Sequence, residues 1–241
     1  MTMKLRYKRV LLKLSGELFS GDKKDGIDFA AVEKVAKCVI NLKKKYPIDL
    51  AIVIGAGNIF RGRMIDERNF DRAQADYMGM LATIINCLAL QGEIERLGGE
   101  VRLMSAINMA AVCEPFIRRR ALRHLNKGRI VILGGGTGNP FFTTDSAAAL
   151  KATELECDVV LKGSNVDGVY DCDPKKNNGA KKFETLTFQY ALEKGLMVMD
   201  ATAFALCQHE KIPIIVFDAN NLDNLAKIIS GEKVGTLITE K

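Results

Sequence analysis

Two lysines lie in apolar runs that are typical of buried β-strands, where a charged side chain needs an explanation. Lys13 lies inside the run at 9–14, and Lys162 ends the run at 159–162. Burying an ammonium group without a partner is costly, so each side chain must either reach solvent along its aliphatic stem or meet an anion. Two lysines beside one phosphate channel would stabilise the charge on a phosphoryl group during its transfer.

A glycine-rich segment between two predicted elements indicates a phosphate site. Residues 134–138 read Gly-Gly-Gly-Thr-Gly, and they join an apolar run at 130–133 to a helical pattern at 146–152. Glycine permits positive φ angles and close approach of the backbone to a ligand, and Thr144 or Asp145 is suited to cap the helix. Free N–H groups and the positive end of a helix dipole then face one point, which suits an anion. The structural alternative is an ordinary connection that is rich in glycine.

Asp145 and the segment at 166–174 are further polar candidates. Asp145 could orient the two lysines, hold a magnesium-bound phosphate, or only cap a helix. The segment at 166–174 places Asp-Gly between β-type residues, which is the turn chemistry of a hairpin. Its Tyr170 and Asp173 could also hold an adenine ring and a ribose, so both interpretations stay open.

Three glycine-bearing turns follow predicted strands, at 13–16, 55–58 and 134–138. Loops at the carboxyl ends of parallel strands lie at one edge of a sheet, so the three could line one phosphate channel. The chain has no GxxxxGK[ST] match, which excludes a nucleoside monophosphate kinase of the P-loop type. A GxGxxG fingerprint begins at Gly55 and Gly57 but fails at Phe60, so dinucleotide binding loses its main support.

Strand and helix patterns alternate along nearly the whole chain. The apolar runs predict strands at 9–14, 50–54, 101–104, 130–133, 159–162, 214–217 and 236–238. Helical spacing predicts helices at 28–46, 71–97, 115–126, 146–152, 187–194, 201–210 and 221–230. Because the strands are continuously apolar, we expect a mainly parallel sheet covered on both faces, a three-layer α/β/α sandwich. We expect one domain over 1–241, with an approximate boundary between two lobes, at about 1–140 and 141–241.

The composition is that of an ordinary globular enzyme. Hydrophobic residues make up 48% of the 241 residues, and the net charge of +6 suits anionic substrates but is too small to indicate nucleic acid. Six scattered cysteines and two histidines argue against a metal site and for reduced thiols in a cytoplasmic protein. We predict neither a signal peptide nor a membrane span. The basic stretch at 118–129 lacks interleaved aromatic residues, so we interpret it as a solvated helix face.

Five motifs carry a resemblance to a known family. They are Lys-Leu-Ser-Gly-Glu (13–17), Gly-Ala-Gly-Asn-Ile-Phe-Arg-Gly (55–62), Asp-Tyr-Met-Gly-Met-Leu-Ala-Thr (76–83), Thr-Gly-Asn-Pro-Phe-Phe-Thr-Thr-Asp (137–145) and Val-Asp-Gly-Val-Tyr (166–170). Together they resemble the bacterial uridylate kinases of the amino acid kinase superfamily. The resemblance implies that fold, and it implies phosphoryl transfer from magnesium-bound ATP to UMP, giving ADP and UDP in pyrimidine nucleotide biosynthesis.

The resemblance also implies roles for individual residues. Catalysis would rest on Lys13 and Lys162, organised by Asp145, and Mg²⁺ would arrive with ATP rather than on protein ligands. The implied ATP contacts are Lys13, Leu14, Ser15, Gly16, Gly57, Arg61, Ser164, Tyr170 and Asp173, and the second lobe is expected to be the ATP-binding side. The implied UMP contacts, mainly in the first lobe, are Ala56, Asp76, Thr137, Gly138, Asn139, Pro140, Phe141, Phe142, Thr143 and Thr144. No general base is expected, because the phosphate of UMP is already an anionic nucleophile near neutral pH.

Regulation and assembly are implied in the same way. Family members form homohexamers built from dimers, and the helix at 71–97, with Met78, Met80, Leu81, Ile84 and Ile85, and the stretch at 103–109 are candidate interfaces. Ordinary core packing is the structural alternative for both. UTP inhibition is implied, and GTP activation would involve Gly21, Asp22, Lys23, Lys24, Asp25 and Gly26.

Three positions depart from the family pattern, and three other functions stay open. Ala56 replaces a frequent glycine, Ser164 replaces threonine or asparagine, and the composition of 21–26 is unusual. A kinase of a carboxylate or carbamate is one alternative, and the run at 139–144 argues against it. A nucleotide-binding or storage protein without turnover is another, and the two lysines argue against it. A nucleic-acid-binding regulator is the third, and the mild charge argues against it.

Overall fold

The apolar runs form a nine-stranded sheet in the described part of the chain. The computed structural model describes residues 5–23, 25–60, 70–174, 176–177, 179–196 and 198–240. The strands are β1 (Arg9–Leu14), β2 (Asp49–Ile54), β3 (Val101–Ser105), β4 (Glu114–Pro115), β5 (Ile130–Gly134), β6 (Val159–Ser164), β7 (Thr185–Thr187), β8 (Ile214–Asp218) and β9 (Thr236–Thr239). Their order is β4-β3-β5-β2-β1-β6-β8-β9-β7, and each neighbouring pair except β8–β9 is parallel.

Helices cover both faces of this sheet, which confirms the predicted three layers. They are α1 (Phe29–Lys45), α2 (Arg72–Arg96), α3 (Arg118–Asn126), α4 (Thr144–Glu154), α5 (Phe188–Glu193), α6 (Ala201–His209) and α7 (Asp223–Ser230), with a 3-10 helix at Gly16–Phe19. One buried cluster joins α1, α2 and α7 to the sheet, and a second joins α3, α4, α5 and α6. None of the described helices is long and apolar enough to cross a membrane. The division into lobes stays a prediction.

Alternation along β1 and β6 decides which face carries the two lysines. Val10, Leu12 and Leu14 belong to the cluster under α1 and α2, whereas Leu11 belongs to the cluster under α4. Because side chains alternate between the faces of a strand, Lys13 shares the α4 face with Leu11. The same alternation in β6 puts Lys162 on that face with Val160.

The helix starts follow local hydrogen-bond chemistry, with one correction. Asp28 caps α1 as predicted, because its Oδ1 accepts the Ala30 N–H at 2.9 Å. At α4, however, the cap is Thr143 and not Thr144 or Asp145: Thr143 Oγ1 accepts from the Asp145 N–H at 3.0 Å and from the Ser146 N–H at 3.3 Å. The helix therefore begins at Thr144, two residues before the predicted start at 146, and the Asp145 carboxylate is left for other contacts.

Three other predicted elements differ in the structure. The helix predicted from 115 begins at Arg118, because Glu114–Pro115 pairs with β3. Strand β6 continues through Gly163, and β4 and β7 are short strands that apolar periodicity does not reveal. The Asp-Gly turn at 166–174 does not close a hairpin on itself; Tyr170 instead forms an antiparallel bridge with Lys182. These differences arise from pairing between strands, which local periodicity does not encode.

Candidate active site

Lys13 and Lys162 are neighbours in register on β1 and β6, and both contact the same carboxylate. Lys13 Nζ lies 2.7 Å from Asp145 Oδ1, and Lys162 Nζ lies 2.7 Å from Asp145 Oδ2. Lys162 Nζ also donates a hydrogen bond to the Val198 carbonyl at 2.5 Å. The exposed fractions of the Lys13, Lys162 and Asp145 side chains are only 12%, 16% and 14%. Neither lysine therefore extends into bulk solvent, and of the three roles considered for Asp145 the geometry fits the orientation of the lysines.

The electrostatics of this Lys-Asp-Lys cluster follow from burial and pairing. Burial alone would raise the pKa of Asp145, but the two ammonium groups outweigh it and hold that pKa below its ordinary value. Burial lowers the pKa of Lys162, while the Asp145 carboxylate acts in the opposite direction. Asp145 is thus ionised at neutral pH and holds both ammonium groups at the end of the strands.

The predicted glycine turns meet at the same edge of the sheet. Gly16 packs so closely on the second turn that an added Cβ would lie 2.5 Å from the Gly55 carbonyl oxygen. In the third turn, Gly135, Gly136 and Gly138 have φ angles of 77°, 59° and 81°, a region that strongly favours glycine. The two glycine requirements, close approach and positive φ, therefore both occur as the sequence predicts.

A first cavity of about 290 Å³ lies between α2 and the glycine turns. Five of the ten residues that the resemblance assigns to UMP line it, namely Ala56, Asp76, Phe142, Thr143 and Thr144. Gly57, assigned to ATP, lines this cavity as well. Phe60, Ala75, Gly79, Met80, Thr83 and Gly136 complete the lining. Residues 137–141 lie outside the lining, although the Phe141 N–H donates to Asp76 Oδ2 at 2.7 Å.

A second cavity of about 560 Å³ lies on the β6 side of the cluster. Lys162 and three residues assigned to ATP, Ser164, Tyr170 and Asp173, line it. Leu14, Ser15 and Gly16 line neither cavity; Ser15 instead caps the 3-10 helix through its Oγ, which accepts the Glu17 N–H at 3.3 Å. Of the assigned site residues, Arg61 and Lys24 lie outside the described residues.

The sequence reasoning missed several residues at this site. Lys194, Gly195, Leu196, Val198 and Val216 line the second cavity, and no motif marks them. Asp200 also escaped notice: its carboxylate accepts from the Thr143 and Ser146 hydroxyls and from the Ala203 N–H, joining the starts of α4 and α6. Its position just before a predicted helix was a usable signal, because aspartate is a favoured N-cap.

The comparison with protein families agrees with this geometry. A model described as the amino acid kinase family matches residues 8–218. The chain belongs to the amino acid kinase family. Lys162 of the Lys-Asp-Lys cluster lines the second cavity, and Asp145 directly follows Thr144 of the first cavity, whereas Lys13 and Asp145 line neither cavity. Positioned cations of this kind suit phosphoryl transfer, which depends mainly on placement and charge.

Three solved structures are similar to this chain over nearly its whole length. The chain is similar to a UMP kinase from Bacillus anthracis, with 40% identity and a TM-score of 0.94, over 98% of this chain and 97% of that one. A UMP kinase from Ureaplasma parvum is 38% identical with a TM-score of 0.91, over 97% and 99% of the two chains. A uridylate kinase from Archaeoglobus fulgidus is 28% identical with a TM-score of 0.74, over 95% and 99%.

Proposed function

We propose that the protein is a UMP kinase, which transfers the terminal phosphoryl group of ATP to UMP and releases ADP and UDP. The Lys13–Asp145–Lys162 cluster is the observation that carries this proposal, since Lys162 lines the second cavity and Asp145 directly follows Thr144 of the first. The two neighbours at 38% and 40% identity, both UMP kinases, support the choice of acceptor. We further propose that the reaction takes place in the cytoplasm and serves pyrimidine nucleotide biosynthesis.

In this proposal the two lysines stabilise the charge that develops during transfer. UMP in the first cavity and ATP in the second would bring the acceptor phosphate and the γ-phosphoryl group together at the cluster. The ammonium groups of Lys13 and Lys162 then lie where negative charge spreads over the transferred oxygens. Asp145 keeps both cations in place before the reaction, so little reorganisation is needed. The acceptor phosphate is already largely ionised at neutral pH, so the chain needs no general base.

Magnesium enters this scheme as part of the substrate. Mg²⁺ in kinases is usually held by substrate phosphates together with one or two carboxylates. Both oxygens of Asp145 face ammonium groups, and among the described residues no three His, Cys, Asp or Glu side chains lie close enough to hold an ion. We therefore propose that Mg²⁺ arrives with ATP and is held mainly by its phosphates.

We assign each nucleotide from the lining of its cavity. In the first cavity, Asp76 is suited to accept hydrogen bonds from ribose hydroxyls, and its contact with the Phe141 N–H fixes the carboxylate. In the second cavity, Tyr170, Leu196 and Val216 offer flat or apolar contacts for an adenine ring. Asp173 and Ser164 offer oxygens for the ribose and phosphate groups.

We propose self-association through the outer face of α2, as in a hexamer of dimers. Tyr77, Met78, Leu81, Ile85 and Leu88 are 39% to 49% exposed on this helix, and a contiguous exposed apolar face indicates an interface. Four other residues of the predicted interfaces are not available for such contacts. The side chains of Met80, Ile84, Leu103 and Met104 are buried within the chain itself.

We also propose regulation by GTP and UTP. Gly26, the last of the residues implied in GTP activation, contacts the second glycine turn, because its N–H donates to the Asn58 carbonyl at 2.7 Å. An effector bound near 21–26 would therefore act on a turn that adjoins the first cavity. UTP, a pyrimidine nucleotide like UMP, would compete at that cavity.

The direct test measures ADP release from magnesium-bound ATP with UMP, CMP, dUMP and AMP offered separately, each with and without GTP. We expect strong turnover with UMP and weak turnover with the others. A folded protein that binds ATP but turns over none of these acceptors would contradict the proposal and favour another acceptor or a binding role. A rate that does not respond to GTP would remove the effector.

A further inference from the structure

Helix α2 carries two buried polar side chains on the face that packs against the sheet. Thr83 and Asn86 are 3% and 0% exposed, and they are three positions apart, so they lie on one side of the helix. Their buried neighbours on the helix, such as Ile84, Cys87 and Leu90, are apolar, as expected in a core. Polar groups in such positions are costly unless they are hydrogen-bonded, so their partners show what they do.

Thr83 holds the third glycine turn. Its Oγ1 accepts the Gly135 N–H at 2.9 Å and donates to the Met80 carbonyl at 2.6 Å. Gly135 has a φ angle of 77° and directly follows the last residue of β5, so it belongs to the turn and not to the strand ladder. The hydroxyl thus fixes the turn to α2, and the same face of α2 lines the first cavity.

Asn86 holds the second glycine turn in the same manner. Its Nδ2 donates to the Gly55 carbonyl at 2.8 Å and to Asn58 Oδ1 at 2.8 Å. Its Oδ1 accepts from Asn58 Nδ2 at 3.0 Å, and that amide also donates to the Gly26 carbonyl at 2.8 Å. The two buried amides therefore satisfy each other and tie the turn to α2.

We propose that Thr83 and Asn86 are positioning residues that set the separation of the two glycine turns on either side of the acceptor cavity. The inference rests on the proposed function for the identity of the acceptor, UMP. A role in packing alone would be served by apolar side chains, whereas each of these two residues makes a hydrogen bond to the backbone of a turn. One rigid helix thereby fixes the width of the cavity at two points.

Paired substitutions at Thr83 separate the hydroxyl from the shape of the side chain. Thr83→Val keeps the volume but leaves the Gly135 N–H without its acceptor, a loss that commonly weakens an interaction about tenfold. We expect KM for UMP to rise about tenfold or more, with KM for ATP within about twofold of the original protein. Thr83→Ser keeps the hydroxyl and should recover most of the affinity for UMP.

Asn86→Leu tests the second turn, and Leu90→Ala on the same helix is the control for stability. Leu90 is fully buried but contacts neither turn through a hydrogen bond, so its truncation weakens the fold without releasing a turn. We expect Asn86→Leu to raise KM for UMP, and Leu90→Ala to leave it near the original value at temperatures where the variants are folded. If Asn86→Leu does not fold, the Thr83 pair alone decides.

Hydrogen–deuterium exchange of the ligand-free protein tests the positioning without reference to catalysis. Thr83→Val should increase exchange in peptides that cover 134–138, and Asn86→Leu in peptides that cover 55–58, whereas Leu90→Ala should leave both unchanged. Equal KM values for Thr83→Val and Thr83→Ser, with unchanged exchange, would overturn the inference. If the original protein does not phosphorylate UMP, the proposed function fails, but the exchange result still decides the role of the two residues.

Discussion

Lys13 and Lys162 are far apart in sequence, yet they are register partners on adjacent parallel strands. Their ammonium groups lie at equal distances of 2.7 Å from the two oxygens of one carboxylate, that of Asp145. Two like charges side by side would repel each other, and the shared carboxylate offsets that repulsion. The same arrangement leaves the pair with net positive charge beside the second cavity, which Lys162 lines, and a transferring phosphoryl group requires such charge.

Lys13→Ala should lower kcat far more than it weakens nucleotide binding. The charge matters most in the transition state, so we expect kcat to fall about 100-fold to 1000-fold with small changes in KM. Steady-state kinetics with both substrates varied would measure the two effects. Lys37→Ala is a matched control, because Lys37 is 57% exposed and pairs with Glu33 on the surface of α1. Near-normal turnover in Lys13→Ala would refute the assigned role.

Asp145→Asn should reduce both activity and stability. The substitution keeps the shape but removes the counter-ion that two largely buried lysines share, which we expect to cost about 2–4 kcal/mol of unfolding free energy. Because the folded state holds the pKa of Asp145 below its unfolded value, this stabilisation is present above the ordinary carboxyl range and is lost as pH falls through the folded pKa. Urea unfolding at neutral and acidic pH would measure it.

A surface pair supplies the comparison for that experiment. Asp167 contacts Lys182 at 2.9 Å but is 52% exposed, so Asp167→Asn should change stability little. Equal destabilisation by the two substitutions would mean that the Lys-Asp-Lys cluster contributes no more than an ordinary surface ion pair.

At alkaline pH, the decrease in kcat should follow the deprotonation of Lys162. Burial lowers the pKa of this lysine, and the protonated form is the one that stabilises the phosphoryl group. As pH rises, kcat should therefore fall at a lower pH than the ordinary lysine pKa of about 10.4 would give. Lys162→Arg, which stays charged, should move this limb to higher pH even if its kcat is reduced. If the original protein and Lys162→Arg lost activity at the same alkaline pH, the group that titrates there would not be Lys162.

Asp76→Ala should weaken UMP binding and leave ATP binding nearly unchanged. The substitution removes the acceptor for ribose hydroxyls and also releases the Phe141 N–H that the carboxylate holds at 2.7 Å. We expect KM for UMP to rise about tenfold or more, since a hydrogen bond to a charged group contributes about 1.5–3 kcal/mol. Titration calorimetry with each nucleotide would check the selectivity. If the affinity for ATP changed and the affinity for UMP did not, the assignment of Asp76 to the UMP cavity would be wrong.

Leu81→Glu should disrupt self-association. Leu81 is 46% exposed in the middle of the apolar outer face of α2, where a charge would have to be buried in an interface. Sedimentation velocity should show smaller species than for the original chain. Gln91→Glu adds the same charge at a polar position of the same helix and should leave the assembly intact. An original protein that sediments only as a 26.5 kDa species would exclude the hexamer.

The sequence by itself determined the elements and their chemistry. Apolar runs predicted β1, β2, β5 and β8 closely, because strands buried on both faces need continuous hydrophobic side chains. Glycines marked the turns because few other residues adopt positive φ or permit close backbone approach. Lys13 and Lys162 stood out because charge in an apolar run requires a partner.

Only the tertiary structure decided which groups meet. The pairing of Lys13 with Lys162 depends on the order and register of strands, and neither is encoded in local periodicity. The choice among three roles for Asp145 depended on a cap one residue earlier, at Thr143. The sequence marked Thr83 only as the end of a motif and did not mark Asn86 or Asp200, because their hydrogen bonds reach segments distant in the chain. Local propensity acts over a few residues, whereas a site at a sheet edge is assembled by packing between whole elements.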